Sequence, residues 1–256
     1  MFFTVLKKNV PKSFIVESVV LCYIINMVKI GIIGAMQVET KHLLSIMRNV
    51  KETKRANLVF NEGEINNKQV VLVQSGIGKV NAAICATILI NDFKITHLIN
   101  SGVAGGLNEK LHLFDIVVSS DVVHHDVDAV AFGYDICRIP GLETTYFPAD
   151  KKLISIAKKA FEKGSFSQHI HEGRVATGDV FVNSDERKKY IKEICNPYCV
   201  EMEGAAIAQT CWLFSVPFVI IRCISDMAEN TDEVYEEEKA AAISGFLVEN
   251  MITLID

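Results

Sequence analysis

The chain has 256 residues, of which 50% are hydrophobic and 22% are charged, and its formal net charge is −5. This composition supplies enough apolar surface for a complete core and excludes an intrinsically disordered chain. The acidic balance excludes a general basic surface, so no nucleic-acid partner is expected. The 15 glycines and 5 prolines do not gather into a linker. One compact domain is therefore predicted over residues 28–256.

Residues 1–27 and the cysteines bear on where the protein works. Lys7 and Lys8 precede a short apolar stretch, as in a secretory signal, but Glu17 interrupts it and no small-residue cleavage motif follows. The favoured interpretation is that residues 1–27 are an extension and Met27 is the true start, with export as the alternative. The chain has seven cysteines, and an odd number cannot all pair in a complete disulfide framework. A cytoplasmic location without a membrane partner is expected.

In chain order, the first half of the sequence predicts an apolar strand, a helix, a hairpin and a second helix. The strand covers residues 28–33, and the first helix carries Leu43, Leu44 and Met47. The hairpin pairs residues 58–65 with 69–74 across Asn66-Asn67, and the second helix follows Lys79. The second helix has one largely apolar face, made by Val80, Ala83, Ile84 and Ile88.

The second half continues this alternation. Strands are predicted at residues 97–100 and 114–119, followed by a long polar and aromatic segment over 124–148. Further helices are predicted at residues 151–163, 185–194, 205–214 and 234–254. Further strands are predicted at residues 174–177 and 217–224. The long segment exceeds a simple connection, which predicts a functional or partner-binding loop. The alternation predicts an α/β three-layer sandwich, with a central mixed, largely parallel sheet covered by helices.

Carboxylates and small-residue loops follow several of these strands, where the ligands of open α/β sheets collect. Glu39, Glu201 with Glu203, and Asp226 occupy such positions, and residues 75–79 and 101–106 are rich in glycine. Together they indicate acid/base chemistry on a closely approached ligand. Glu39 alone is also explained as a favourable charge in a first helical turn. Asp226 ends an apolar strand, where desolvation would raise its pKa and let it hold a proton.

Sequence motifs give little support for a cofactor or a metal ion. Residues 75–79 lack the spacing of a triphosphate-binding loop, and residues 31–34 lack the three-glycine dinucleotide pattern. Metal-ligand residue types occur at residues 124–126 and at 169–171, but no third ligand joins either group at a diagnostic spacing. No cofactor and no metal are expected.

Six ordered motifs carry a resemblance to a known family. They are GIIGAM at residues 31–36 with Glu39, SGIGKV at 75–80, SGVAGG at 101–106, FGY at 132–134, VEME at 200–203 and ISD at 224–226. In sequence, order and spacing they resemble the bacterial 5′-methylthioadenosine/S-adenosylhomocysteine nucleosidases of the nucleoside phosphorylase family. The resemblance implies hydrolysis of the N-glycosidic bond of these thioether nucleosides, release of adenine, a homodimer and a role in methionine salvage.

The resemblance also implies roles for individual residues. Glu39 would orient the attacking water, with Ser75 and Arg222 nearby. Asp226, in one motif with Ser225, would protonate adenine N7. Glu203 and Met202 would bind the ribose, and Phe181 and Val182 would bind adenine. The alkylthio group would be bound by Phe132, Tyr134 and Pro140, and a dimer partner would add part of the wall of that pocket.

Two other functions remain open from the sequence, a phosphorylase of the same fold and a non-enzymatic binding protein. A nucleosidase fits the residue types, because a proton donor near the purine and carboxylates near the sugar stabilise charge that develops in the transition state. A phosphate nucleophile needs a cationic clamp, whereas residues 34–39 contain no Arg or Lys. Arg222 is expected to pair with carboxylates or to orient water. The preferred nucleoside, including related compounds such as aminodeoxyfutalosine, stays open.

Overall fold

The computed structural model describes residues 28–227 and 236–256. The N-terminal extension, with the alternatives of an export signal or a start at Met27, lies outside the described residues. The described strands are β1 (Lys29–Gly34), β2 (Arg48–Arg55), β3 (Leu58–Ile65), β4 (Lys68–Gln74), β5 (His97–Gly106), β6 (Ile116–His124), β7 (Phe147–Pro148), β8 (Ile170–Thr177), β9 (Cys199–Glu201) and β10 (Phe218–Asp226). The described α-helices are α1 (Gln37–Ile46), α2 (Lys79–Asn91), α3 (Lys151–Lys163), α4 (Asp185–Cys195), α5 (Gly204–Phe214) and α6 (Glu237–Ile252).

The strands form one mixed sheet, as predicted. Strands β4, β1, β5 and β10 lie side by side and run parallel. Antiparallel pairing adds β3 and then β2 beyond β4. On the other side, β10 pairs with β6, β6 with β8, β8 with β9, and β9 returns to β5. These five strands therefore close into a ring, which brings the ends of β5, β9 and β10 together.

Helices flank the sheet in two groups that pack among themselves. Helix α6 contacts α1 and α3, while α2 contacts α5. Helix α3 begins where the Asp150 side chain accepts a hydrogen bond from the backbone N–H of Leu153 at 2.9 Å, and it ends at Gly164. Its apolar residues recur at helical spacing and bury one face, as the sequence predicts. None of the described helices combines the length and apolarity needed to span a bilayer.

The structure adds two findings to the predictions for the first half of the chain. Strand β2 is absent from the prediction, because it is an edge strand whose charged residues show no apolar alternation. The apolar face assigned to α2 is not buried within the chain, since Val80 is 70% and Ile84 44% exposed. The face of α2 that packs into the core consists of Ala82, Cys85, Ala86, Leu89 and Ile90.

The remaining predictions differ from the structure mainly at element ends. The hairpin of β3 and β4 turns through Asn66 and Asn67, whose φ angles of 50° and 62° are the positive values that asparagine tolerates. Strands β6 and β8 are longer than predicted. The long segment after β6 contains a short 3-10 turn at Val130–Phe132 and strand β7.

Candidate active site

One cavity lies at the carboxyl ends of β1, β5, β9 and β10. All four carboxylates predicted from strand ends meet there, together with one buried arginine. The lining residues are Ala35, Met36, Glu39, Ile77, Val103, Ala104, Gly105, Phe181, Val200, Glu201, Met202, Glu203, Arg222, Ser225 and Asp226. The closed ring of strands thus converts positions far apart in the sequence into one site.

Glu39 lies in the first turn of α1 and also lines the cavity. Its Oε2 atom accepts hydrogen bonds from the backbone N–H groups of Ala35 at 2.6 Å and Met36 at 3.0 Å, and its Oε1 atom accepts one from Val103 at 3.0 Å. Burial raises the pKa of the Glu39 carboxyl, and nearby Arg222 and these N–H donors oppose the rise. The Glu39 carboxylate therefore occupies the helix-terminal position predicted for it and also lines the cavity.

Arg222 is the buried cation around which the carboxylates gather. Its Nη2 atom donates to the side-chain oxygen of Asn100 at 2.6 Å and to the Glu201 carboxylate. Its Nη1 atom lies 3.7 Å from Glu39, and Nη2 lies 3.6 Å from Glu203. The prediction that Arg222 pairs with carboxylates is confirmed. Three carboxylates share one guanidinium, so the cluster carries excess negative charge.

Glu201 holds this cluster in place, although the sequence assigned it no individual role. One of its oxygens accepts a hydrogen bond from the Thr177 hydroxyl. The other accepts from the backbone N–H groups of Glu203 at 3.0 Å and Gly204 at 2.7 Å, as well as from Arg222. These contacts use most of the acceptor capacity of the Glu201 carboxylate. Glu201 therefore positions Arg222 and the start of α5, and it has little capacity left for a ligand.

Glu203 lies directly after β9, between this fixed cluster and the cavity. Its Oε1 atom accepts a hydrogen bond from the backbone N–H of Gly78 at 2.9 Å. Burial and the negative charge of Glu201 raise the pKa of Glu203 to about 7, and Arg222 and the Gly78 N–H only partly oppose them. Glu203 can therefore exist with or without a proton near neutral pH, which suits a group that meets hydroxyls and developing positive charge.

Asp226 lies on the cavity wall at the end of β10. The pairing register of β10 with β5 shifts between Ile224 and Asp226, and such an irregularity changes the direction of the side chains that follow it. The Ser225 hydroxyl donates to Asp226 Oδ2 at 3.0 Å. The Asp226 side chain is only partly buried. The desolvation expected at the end of this apolar strand is therefore partial, because the aspartate opens onto the cavity.

The structure brings some of the predicted binding residues into the cavity and leaves others outside it. Met202 and Phe181 line the cavity, and the Phe181 ring is largely exposed. Val182 is buried in an adjoining small pocket that also touches Phe181 and Met202. Ser75 is buried off the wall, and its hydroxyl donates to the carbonyl of Gly76 at 2.8 Å. The predicted alkylthio-binding residues, which do not line the cavity in a single chain, are Phe132, Tyr134 and Pro140.

Comparison with known proteins identifies relatives along most of the chain. The model of the phosphorylase superfamily matches residues 29–252. The 5′-methylthioadenosine/S-adenosylhomocysteine nucleosidase of Bacillus velezensis is 42% identical over 231 residues, which are 89% of this chain and 99% of the relative.

Solved structures give the same result at the level of the fold. The 5′-methylthioadenosine/S-adenosylhomocysteine nucleosidase of Colwellia psychrerythraea, in complex with adenine, is 40% identical with a TM-score of 0.85, and the match covers 89% of this chain and 95% of that chain. Futalosine hydrolase of Helicobacter pylori is 33% identical with a TM-score of 0.85, covering 90% and 99%.

Proposed function

The chain belongs to the phosphorylase superfamily, and we infer that it hydrolyses the N-glycosidic bond of 5′-methylthioadenosine and S-adenosylhomocysteine to release adenine. The observation in this molecule that carries the inference is the placement of Glu39, Glu203 and Asp226 around one cavity. Cleavage of such a bond builds positive charge on the ribose and negative charge on the leaving base. A site rich in carboxylates, with one of them free to supply a proton, matches both charges.

We propose that Glu39 orients and deprotonates the attacking water. Three backbone N–H groups and Arg222 fix its carboxylate, which still has acceptor capacity for one further donor. Arg222 and the N–H groups favour the ionised form that a base requires, against the opposing effect of burial. The base is thus held in one orientation before the ligand arrives, which lowers the cost of reaching the transition state.

Glu203 and Asp226 are proposed to act on opposite parts of the nucleoside. Glu203, next to Met202, would accept hydrogen bonds from the ribose hydroxyls, and its negative charge would stabilise the oxocarbenium-like sugar. Asp226 would protonate the leaving adenine at N7, with the Ser225 hydroxyl holding its carboxyl at 3.0 Å. The exposed Phe181 ring would stack on adenine, with the backbone of Phe181 and Val182 at its polar edge.

The charge of the cavity favours water over phosphate as nucleophile. Among the described residues that line the cavity, Arg222 is the single lysine or arginine, and Glu39, Glu201 and Glu203 already surround it. Two lysines near these strand ends are also engaged: Lys79 donates to Asp126 at 2.7 Å, and Lys188 donates to the carbonyl of Met227 at 2.9 Å. A phosphate dianion would therefore meet a negative cluster without a free cationic partner.

The test is adenine release by the purified chain in phosphate-free buffer and with added phosphate. A hydrolase releases adenine without phosphate, yields free 5-methylthioribose and forms no sugar 1-phosphate when phosphate is added. Strict dependence of adenine release on phosphate would instead assign the chain to the phosphorylases. A panel that includes adenosylhomocysteine and aminodeoxyfutalosine would rank the substrates, since a futalosine hydrolase shares this fold.

We further propose that the protein is a homodimer whose second copy completes the site. Ile77, Val80 and Ile84 form an exposed apolar face at the start of α2, and Ile77 also lines the cavity. Phe132, on the long segment after β6, is 84% exposed. An apolar face continuous with a cavity is typical of a protein interface. In a dimer, Phe132, Tyr134 and Pro140 would contribute to the alkylthio-binding wall.

We also propose a cytoplasmic location and a role in methionine salvage, and the state of the cysteines supports the location. The six cysteines in the described ranges are buried free thiols, a state typical of a reducing compartment. Cell fractionation with an antibody to the C-terminal helix tests the location. Recovery of a processed chain outside the cytoplasm would support the export alternative for residues 1–27.

A further inference from the structure

Asp115 lies at the centre of a histidine cluster that the proposed reaction does not use. It is buried at the turn before β6, and its carboxylate accepts hydrogen bonds from the backbone N–H groups of His112 at 2.9 Å and His169 at 3.1 Å. Three imidazoles also reach this carboxylate. The Asp115 oxygens lie 3.4 Å from His112 Nδ1, 3.2 Å from His169 Nδ1 and 3.2 Å from His171 Nε2.

The spacing of these atoms matches the surroundings of one metal ion. A ligand atom from each of His112, Asp115 and His169 lies within 4.8 Å of the other two. Zinc binds imidazole nitrogen and carboxylate oxygen at about 2.0–2.2 Å, which places neighbouring ligand atoms roughly 3–4 Å apart. The observed distances therefore require little rearrangement. The side chains of His112 and His169 are 76% and 74% exposed, so solvent ions can reach them.

The backbone holds the carboxylate ligand in place before any metal arrives. Phe114 N–H donates to the carbonyl of Ile224, and Ile224 N–H donates to the carbonyl of Asp115, both at 2.9 Å. Ile116 N–H donates to the carbonyl of His169 at 2.8 Å. The turn is thus fastened to β10 and to the start of β8. Pre-positioned ligands lose less conformational entropy on binding.

We propose that His112, Asp115 and His169 form a binding site for one divalent transition-metal ion of the zinc class. The Nε2 atom of His171 hydrogen-bonds the Asp115 carboxylate at 3.2 Å, the supporting role that groups around metal ligands commonly have. Two imidazoles select against magnesium and calcium, which prefer oxygen ligands. The three ligands leave the fourth tetrahedral position to water. None of them lines the catalytic cavity.

The test is titration of zinc chloride into the metal-free, untagged full chain by calorimetry, with Co²⁺ absorption as a second readout. One equivalent of Zn²⁺ is expected to bind, and Co²⁺ is expected to give visible bands of low-symmetry nitrogen and oxygen coordination. His112→Ala and His169→Ala should each lower the affinity by at least ~30-fold, because each removes one of three ligands. Both side chains are mainly exposed, so circular dichroism should show unchanged folding.

The matched control is His97→Gln, which removes a histidine at the start of β5 whose ring contacts Thr96. Its zinc affinity should equal that of the unsubstituted chain. Absence of saturable Zn²⁺ binding in the unsubstituted chain would overturn the site. Equal affinity in the His112, His169 and His97 variants would overturn it as well, by placing the ion elsewhere.

Discussion

The Nη1 atom of Arg222 lies in the space that a Cβ atom on Gly102 would occupy. The Glu39 carboxylate passes over the same point of β5, where a Cβ atom would also overlap its Oε1 atom. Arg222 and Glu39 therefore approach each other to 3.7 Å across a residue that has no side chain. Any larger residue at this position would separate the buried arginine from the carboxylate that begins α1.

Gly102→Ala is expected to lower kcat/KM by at least ~100-fold and to destabilise the fold. The added methyl group displaces the buried ion pair, and such losses cost roughly 2–5 kcal/mol. Enzyme kinetics and urea unfolding measure the two effects. Gly106→Ala is the control on the same strand, because its Cβ atom would meet mainly the flexible Met227 side chain. Equal activity of the two variants would show that the Arg222–Glu39 approach is dispensable.

Asp226→Asn is expected to depress turnover by at least ~100-fold while ligand binding remains measurable. The amide has nearly the same volume as the carboxyl, but it cannot donate a proton as an acid does. Single-turnover kinetics and binding of a non-hydrolysable nucleoside analogue separate the two quantities. Asp128→Asn, on the exposed loop after β6, serves as the control. Near-normal turnover of the Asp226 variant would remove this residue from the mechanism.

Glu203→Gln is expected to lower turnover strongly and to flatten the pH dependence of stability. The folded protein raises the pKa of Glu203 from its ordinary value near 4.5 to about 7. Below pH 4.5 the carboxyl is protonated in both the folded and the unfolded chain. As the pH rises from 4.5 to 7, the unfolded chain loses this proton first, so the folded state loses stability on the order of 1–3 kcal/mol.

Thermal unfolding of both proteins between pH 5 and pH 8 measures this effect. The glutamine carbonyl can still accept the Gly78 N–H, so the variant should lose less stability than the unsubstituted chain as the pH rises. Parallel melting curves across this range would mean that Glu203 has no raised pKa. A change in KM alone would make Glu203 a residue that binds substrate and transition state equally.

Val80→Asp is expected to convert the proposed dimer into a monomer and to reduce activity. The substitution places a charge on the exposed apolar face of α2, where desolvation in an interface would be costly. Sedimentation velocity and adenine release measure the outcome. Val50→Asp, an exposed valine on β2, is the matched control and should change neither quantity. A Val80 variant with the sedimentation behaviour of the unsubstituted chain would contradict the interface.

The sequence predicted elements best where one face is apolar and the ends carry explicit signals. Helix α3 was predicted at its exact bounds, because Asp150 and Gly164 delimit an amphipathic segment. The same rule also predicted α2, but an apolar face identifies a surface to be covered and does not say what covers it. Small residues such as Ala82 and Ala86 form the face that packs closely against the core.

Contacts between distant residues were harder to predict. Arg222 lies within an apolar strand, which indicates that buried counterions accompany it. Glu201 lies at the end of another strand, and the two side chains meet because the ring of strands brings these strand ends together. The histidine cluster follows the same logic. Asp115 and His169 are 54 positions apart, so short-range spacing separates the cluster into a His112–Asp115 pair and a His169–His171 pair and cannot join them.

The ring of β5, β10, β6, β8 and β9 also governs how the sheet can grow. Each strand of the ring pairs with two others of the ring, and the two-residue strand β7 pairs with the remaining part of β6. The long outer edge of the sheet is therefore β2, at the opposite end. In the described part of the chain, that outer strand contains four basic residues, Arg48, Lys51, Lys54 and Arg55. Two such edges repel each other on approach. The molecule is thereby protected from edge-to-edge polymerisation at high concentration.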